Sequence, residues 1–352
     1  MRAAPLPAIT ALLFLCGAPT AQAVSPPSVD DKWLPQPALP SPPQPTVQLE
    51  VCAAPPADDG PDRSPRHAGT PAQFADLDLP AVWQLTRGAG QRVAVIDTGV
   101  ARHRRLPKVV AGGDYVFTGD GTQDCDAHGT LVAGIIAATT DSKDDEFGGV
   151  APDATLISIR QSSAKFAAVA NRSSRGFGDV DTMAKAVRTA ADLGASVINI
   201  SSVACVAAAS ALDDRALGAA LAYAVDVKNA VVVAAAGNTG GAAQCPPQRP
   251  GATRETVTVV VSPAWYDDYV LTVGSVNADG APSAFSLAGP WVDVAAIGEQ
   301  VTSLGSAPLS GTSYAAPVVS GLAALIRARF PALTARQVIQ RIESTAHHPP
   351  GG

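Results

Sequence analysis

Short, unbroken apolar runs alternate with longer stretches of helical spacing over most of this chain. Arg92-Val93-Ala94-Val95-Ile96 reads as a strand that stops at Asp97, because an apolar run closed by a polar turn is the mark of a strand buried on both faces. Thr155 to Ile159, Ser196 to Ile200, Ala230 to Ala235, Val270 to Val276 and Trp291 to Ala295 follow the same rule. Between them, Leu131 to Ala138, Val180 to Leu193 and Asp213 to Val227 have helical patterns, the second with Met183, Ala184, Val187, Ala190 and Ala191 on one face. A helix over Val318 to Ile326 and a last one opened by the Thr334/Gln337 capping box complete the series, separated by Phe330-Pro331. Phe74 to Leu85 reads as a short helical approach to the first strand. Alternation of this kind predicts an α/β fold, with a mostly parallel sheet covered by helices on both faces.

The N-terminal region breaks the pattern. Arg2, the apolar stretch Ala8 to Ala18 and Ala21-Gln22-Ala23 make residues 1–23 a secretory signal peptide, too short in its apolar part to span a bilayer. Residues 24–70 are Pro-rich without a sustained period and predict an extended segment rather than a domain. The α/β domain is expected over 71–348, followed by the tail 349–352. At 352 residues, 47% hydrophobic and 16% charged, the chain suffices for one large domain or two small ones. Its net charge is −6, and no Lys/Arg block gives a nucleic-acid partner an electrostatic footprint. The acidic stretch Asp141 to Glu146 reads as a solvated loop, and no metal site or cofactor is assigned. Cys16 leaves with the signal; Cys52, Cys125, Cys205 and Cys245 remain, an even number in an exported chain, so two disulfides are expected. Their wide spacings do not resemble a zinc site, and three pairings are open.

Candidate chemistry sits where the elements begin and end. Gly311-Thr312-Ser313-Tyr314-Ala315-Ala316-Pro317 puts a serine at or near the first turn of a helix, whose free N–H groups point at developing negative charge. A hydroxyl so placed is a nucleophile only if a base takes its proton; otherwise it is an ordinary cap. Upstream, Cys125-Asp126-Ala127-His128-Gly129-Thr130 sets His128 near a helix start, and Asp97-Thr98-Gly99 ends a strand. Acyl transfer from an amide needs these three roles: a nucleophile, a base, and a carboxylate that holds the base's tautomer.

The three blocks, in the order Asp, His, Ser, resemble the signatures of the subtilisin-like serine proteases (subtilases), from about Gln91 to Ala346. The resemblance implies a three-layer subtilisin-like fold, a triad of Asp97, His128 and Ser313, and an oxyanion-hole role for Asn238 in Ala235-Ala236-Gly237-Asn238. It also implies that a peptide substrate lies extended between Gly176-Phe177-Gly178 and Ser201-Ser202-Val203, with Val203 where a glycine is usual. Cys125 to Leu131, Ile157 to Gln161, Phe285 to Val292 and the Pro-rich extension with its single cysteine are similar to the mycosins, subtilases associated with type VII secretion. That implies an exported, envelope-associated serine endopeptidase that processes substrates of a secretion complex and has its membrane components as partners. In that family the extension wraps the catalytic domain and a transmembrane helix follows; here no apolar span precedes Pro349-Pro350-Gly351-Gly352. Two other readings are a structural subunit with a shielded site and a general extracellular protease. For the cysteines, the strands ending near Ser201 and Asn238 are successive, and successive strands are usually neighbours. This pairs Cys205 with Cys245 and leaves Cys52 for Cys125.

Overall fold

A computed structural model describes residues 23–53, 69–140, 147–173, 176–210, 212–241, 245–305 and 307–347. The signal peptide up to residue 22, the acidic stretch Asp141 to Glu146 and the tail 349–352 lie outside the described residues. In chain order the strands are β1 (Thr46–Gln48), β2 (Arg92–Asp97), β3 (Val109–Asp114), β4 (Thr155–Arg160), β5 (Phe166–Ala168), β6 (Val197–Ile200), β7 (Ala204–Ala207), β8 (Val231–Ala235), β9 (Val259–Ser262), β10 (Val270–Val276) and β11 (Val294–Ile297). The α-helices are α1 (Leu79–Leu85), α2 (His128–Ala137), α3 (Val180–Asp192), α4 (Arg215–Ala222), α5 (Thr312–Arg329) and α6 (Ala335–Thr345).

Seven strands form one parallel sheet in the order β11-β10-β8-β6-β2-β4-β3. β2 is its pivot. After it, the chain builds β3 and β4 on one side, then β6, β8, β10 and β11 on the other, so the crevice past the C-terminal end of β2 is a topological switch point, where open α/β sheets bind ligands. Helices α2 and α5 pack together on one face and α3 against α4 on the other. With both faces covered, Val93 to Ile96 are fully buried, which is why the strand is apolar throughout rather than alternating.

The long elements fall where the patterns place them, and the differences have local causes. The single helical approach is broken at Asp78, which takes a left-handed conformation between a 3-10 turn, Ala72–Phe74, and α1. The helix read as Asp213 to Val227 starts at Arg215 and widens into a π-turn over Tyr223–Val227. Trp291 lies outside the last strand, which begins at Val294; its ring is fully buried instead. Strands β3, β5, β7 and β9 have no sequence counterpart among the predicted elements. β3 is a glycine-containing edge strand with a register shift between Ala111 and Gly113, and β5, β7 and β9 are three or four residues long. Pieces so short carry too few residues for a period to show.

The Pro-rich segment has no core of its own and lies along the domain. Arg215 stacks on Trp33 at 3.9 Å, and Arg188 Nη1 donates to Pro35 O at 3.1 Å. β1 pairs antiparallel with β5, Thr46 Oγ1 donates to Val116 O, and Lys165 meets Glu50 at 2.7 Å. The segment is then bonded to the domain through Cys52–Cys125, with Ala53 N donating to Cys125 O. The second bridge, Cys205–Cys245, joins β7 to the loop beyond Asn238.

Cys52–Cys125 closes a loop of 73 residues and Cys205–Cys245 one of 40, each worth up to about 4 kcal/mol in the chain-entropy model. Replacing Cys52 and Cys125 together by serine is expected to lower the unfolding free energy by up to that amount. Denaturant titration measures it. An unchanged midpoint and slope would show that this bridge adds nothing to the stability of the domain.

Candidate active site

The end of β2 leaves Asp97 only 1% exposed, with its carboxylate at the C-terminal edge of the sheet. Helix α2 begins at His128, and His128 Nδ1 lies 2.7 Å from Asp97 Oδ1. That oxygen also accepts from Thr98 N at 2.7 Å, whereas Asp97 Oδ2 is buried without a hydrogen-bond partner. His128 is therefore the counter-charge available to this carboxylate. The other face of the imidazole meets Tyr314, with ring centroids 5.3 Å apart and planes tilted by 45°. Burial opposes a charge on His128, but the negative charge of Asp97, its hydrogen bond, and the carboxylates of Asp124 and Asp126 outweigh burial and raise the pKa above its ordinary value.

Ser313 is the second residue of α5 and 7% exposed. Its turn is pinned from below. Ser201 Oγ donates to Ser313 O at 3.0 Å, Asn199 Nδ2 donates to Ser201 Oγ, and Ser320 Oγ donates to Asn199 Oδ1. From the side, Asn238 Oδ1 accepts from Thr312 N at 2.9 Å and Thr312 Oγ1 at 3.1 Å. These bonds fix the amide with its Nδ2 turned towards the serine. A Cβ on Gly311 would stand 3.2 Å from Ser313 Oγ and 3.5 Å from Asn238 Nδ2, so the two groups share one small space that glycine leaves open. Among the described residues no hydrogen bond joins His128 to Ser313; such bonds are commonly long in an empty site and tighten around substrate.

The segments expected to hold substrate flank this space. Phe177 N and O both bond to Ser163, at 2.8 and 2.9 Å, an isolated antiparallel bridge that leaves the backbone of the flanking Gly176 and Gly178 outside that pairing. Phe177's side chain packs instead against Cys125, Val116 and Phe166. Of the opposite segment, Ser201 is spent on Ser313, and Ser202 and Val203 line the cleft. With Gly178, Val180, Met183 and Leu217 they border a cavity of about 130 Å³. Val203 Cγ2 also closes on Gly237, lying 3.3 Å from where a Cβ there would be. Its side chain thus packs against the backbone of the residue that precedes Asn238.

Three residues were not singled out from sequence. Thr312 orients Asn238, Tyr314 backs His128, and Asp124 ties the start of α2 to Thr98. Asp124 is not at the N-cap of α2, which is Ala127, so no capping pattern in the sequence marks it.

The family model described as "Subtilase family" matches residues 88–351. Mycosin-4 of Mycobacterium tuberculosis (strain ATCC 25618 / H37Rv) is 76% identical over 351 residues, 96% of this chain and 76% of that protein. The crystal structure of MycP1 from the ESX-1 type VII secretion system superposes with a TM-score of 0.84 at 42% identity, covering 94% of this chain and 91% of that one. A chain of the intact ESX-5 inner membrane complex gives 0.82 at 41% identity, covering 93% and 83%. With the ordered Asp, His and Ser at the switch point of a parallel sheet, these likenesses place the chain in the subtilase family, among the mycosins, and make it a serine endopeptidase.

Proposed function

We propose that this chain cuts protein substrates of a type VII secretion complex and also belongs to that complex. In the proposed reaction Ser313 Oγ attacks the scissile carbonyl while His128 Nε2 takes its proton. His128 then returns the proton to the leaving amine. Asp97 holds the ring with Nδ1–H towards itself and stabilises the imidazolium. Asn238 Nδ2 and the Ser313 backbone N–H receive the charge that develops on the carbonyl oxygen. The acyl-enzyme is released by water through the same steps. The observation that carries this reading is the 2.7 Å bond between His128 and Asp97, made beside the helix start that bears Ser313.

The substrate is expected to lie extended, pairing with Gly176 and Gly178 on one side and with the backbone of Ser202 and Val203 on the other, as a strand added to an edge. Because Val203 puts a side chain where a glycine is usual and packs beside Gly237, small side chains are expected next to the scissile bond. An exported, envelope location is supported by the two disulfides and by the relatives found in the ESX-5 inner membrane complex and its periplasmic assembly. No helix among the described residues is long and apolar enough to cross a membrane.

A fluorophosphonate probe is expected to label Ser313 and to leave the Ser313→Ala protein unlabelled; labelling that persists would remove Ser313 from the reaction. Asn238→Ala is expected to lower kcat about a hundred- to a thousand-fold with little change in KM. Val203→Gly should raise kcat/KM for peptides with a large residue before the scissile bond relative to those with a small one, measured by competition between the two.

The acid limb of kcat/KM follows from the charges around His128. Only the neutral ring is a base, so activity is lost as pH falls through its pKa. That midpoint is expected above the ordinary value of about 6.5, because Asp97 and its neighbours favour the charged ring. Asp97→Asn should lower kcat about ten-thousand-fold. A limb at or below the ordinary value would count against His128 as the base.

Catalysis and assembly are expected to separate. Ser313→Ala removes one oxygen from a residue that is 7% exposed and leaves every outer surface intact. In a deletion strain, that variant should restore secretion of substrate into the medium without its cleavage. Secretion no better than the deletion, at normal protein levels, would reduce the role of the chain to proteolysis.

A further inference from the structure

One carboxylate beside the site has no part in the proton transfer proposed above. Asp124 stands four residues before His128, and its two oxygens accept five hydrogen bonds. Oδ1 receives Thr98 Oγ1 at 2.8 Å, Ala127 N at 2.8 Å and Asp126 N at 3.1 Å; Oδ2 receives Thr130 N at 2.8 Å and Thr130 Oγ1 at 2.6 Å. These donors come from both sides of the site. Thr98 follows Asp97 at the exit of β2, and its hydroxyl also accepts from Gly129 N at 2.9 Å. Thr130 lies in the first turn of α2, and its hydroxyl accepts from Ala101 N at 2.9 Å.

The residue just before the base has an unusual backbone. Ala127, immediately before His128, has φ +64°, a left-handed conformation that an alanine adopts only when its surroundings impose it. The N–H of Ala127 is bonded to Asp124, so the same carboxylate that ties α2 to β2 also imposes that turn. An alanine without that bond would be free to relax to negative φ, which would turn the imidazole away from Asp97.

We propose that Asp124 is a positioning residue for His128, holding the base at the start of α2 against the strand that carries Asp97. Asp124 acts in two ways. Its bonds set the direction of the ring, and its negative charge joins those of Asp97 and Asp126 in favouring the imidazolium that forms during acyl transfer. Tyr314, the titratable group on α5 that faces the ring, has its pKa pushed up to about 12 by burial and by Asp97 and Asp124, so it stays neutral and adds no charge. Asp124 itself is pulled two ways. Burial, with the charge of Asp97, raises its pKa above the ordinary carboxylate value, and its bonds from Thr130 and Thr98 offset only part of that rise. The proposal rests on His128 being the base.

The test compares Asp124→Ala, Asp124→Asn and the double variant Asp124→Ala/Ala127→Gly, and reads both peptide hydrolysis and the His128 ring titration by NMR. Asp124→Ala is expected to lower kcat about a hundredfold with KM little changed, the cost of a misplaced reacting group. Both single variants should move the His128 titration to lower pH, because a negative charge is gone. Glycine accepts positive φ without penalty, so the double variant should recover most of the lost kcat while its titration stays displaced. Folded variants with unchanged kcat and titration would overturn the proposal. A loss of kcat with no titration shift and no recovery by glycine would overturn it equally, leaving Asp124 as a helix cap alone. Should Asp124→Ala fail to fold, Asp124→Asn decides by its titration, and an unmoved midpoint is a negative result. His128→Ala in the otherwise native chain is the separate control: fluorophosphonate labelling that survives it means His128 is not the base, whatever Asp124 does.

Discussion

A carboxylate buried at the end of an apolar strand must find a positively charged or donating partner, and in this protein the partner is a histidine on a different element. Asp97 is 1% exposed and Asp97 Oδ2 has no hydrogen bond, so His128 and Thr98 N are what the charge has. Removing water from an unpaired carboxylate costs far more than a surface interaction returns. This single requirement ties the end of β2 to the start of α2. It also couples catalysis to folding, because the geometry that relieves the buried charge is the geometry a base needs.

The nucleophile is placed by packing of a different kind. Helix α5 crosses β6, β8 and β10 beneath a surface of small residues, and at Gly321 a Cβ would stand 2.5 Å from Val150 Cβ. On the side of β6, the polar chain Ser320, Asn199 and Ser201 reaches from the middle of α5 to its first turn. Asn238 is fixed by the same turn through Thr312, so the two donors proposed for the oxyanion are oriented before substrate arrives. Preorganised donors in a site with little water need no rearrangement as charge develops, which is the physical source of their effect on rate.

The Pro-rich segment shows how a stretch that cannot fold alone becomes part of a domain. It gives β5 an antiparallel partner in β1 and is bonded at Cys125, three residues before His128. Cys125 also packs with Phe177, which lies between Gly176 and Gly178. The bridge thus stands between the segment, His128 and the Gly176–Gly178 stretch proposed to bind substrate, and a loosened segment would be felt in both.

The parallel sheet, its long helices and the order of Asp97, His128 and Ser313 were legible in the chain. Each depends on local chemistry: continuous apolar runs, helical spacing, a capping box, and polar residues at the ends of elements. The short strands β5, β7 and β9 were not, because three or four residues hold no period and their pairing is decided by partners far away in sequence. Nor was the division of labour within one motif. Ser201, Ser202 and Val203 read alike as substrate contacts, yet Ser201 turns inward to hold Ser313, a choice made by the helix that packs over it. Phe177 reads as part of an edge, but its own backbone groups are consumed by Ser163. Asp124 lay in plain view as one acidic residue among 31 carboxylates. Only the fold, by bringing Thr98 and Thr130 to it from two elements, distinguishes it from the rest. Sequence determined which residue types stand at the ends of which elements; tertiary structure decided which hydrogen bonds each could spend.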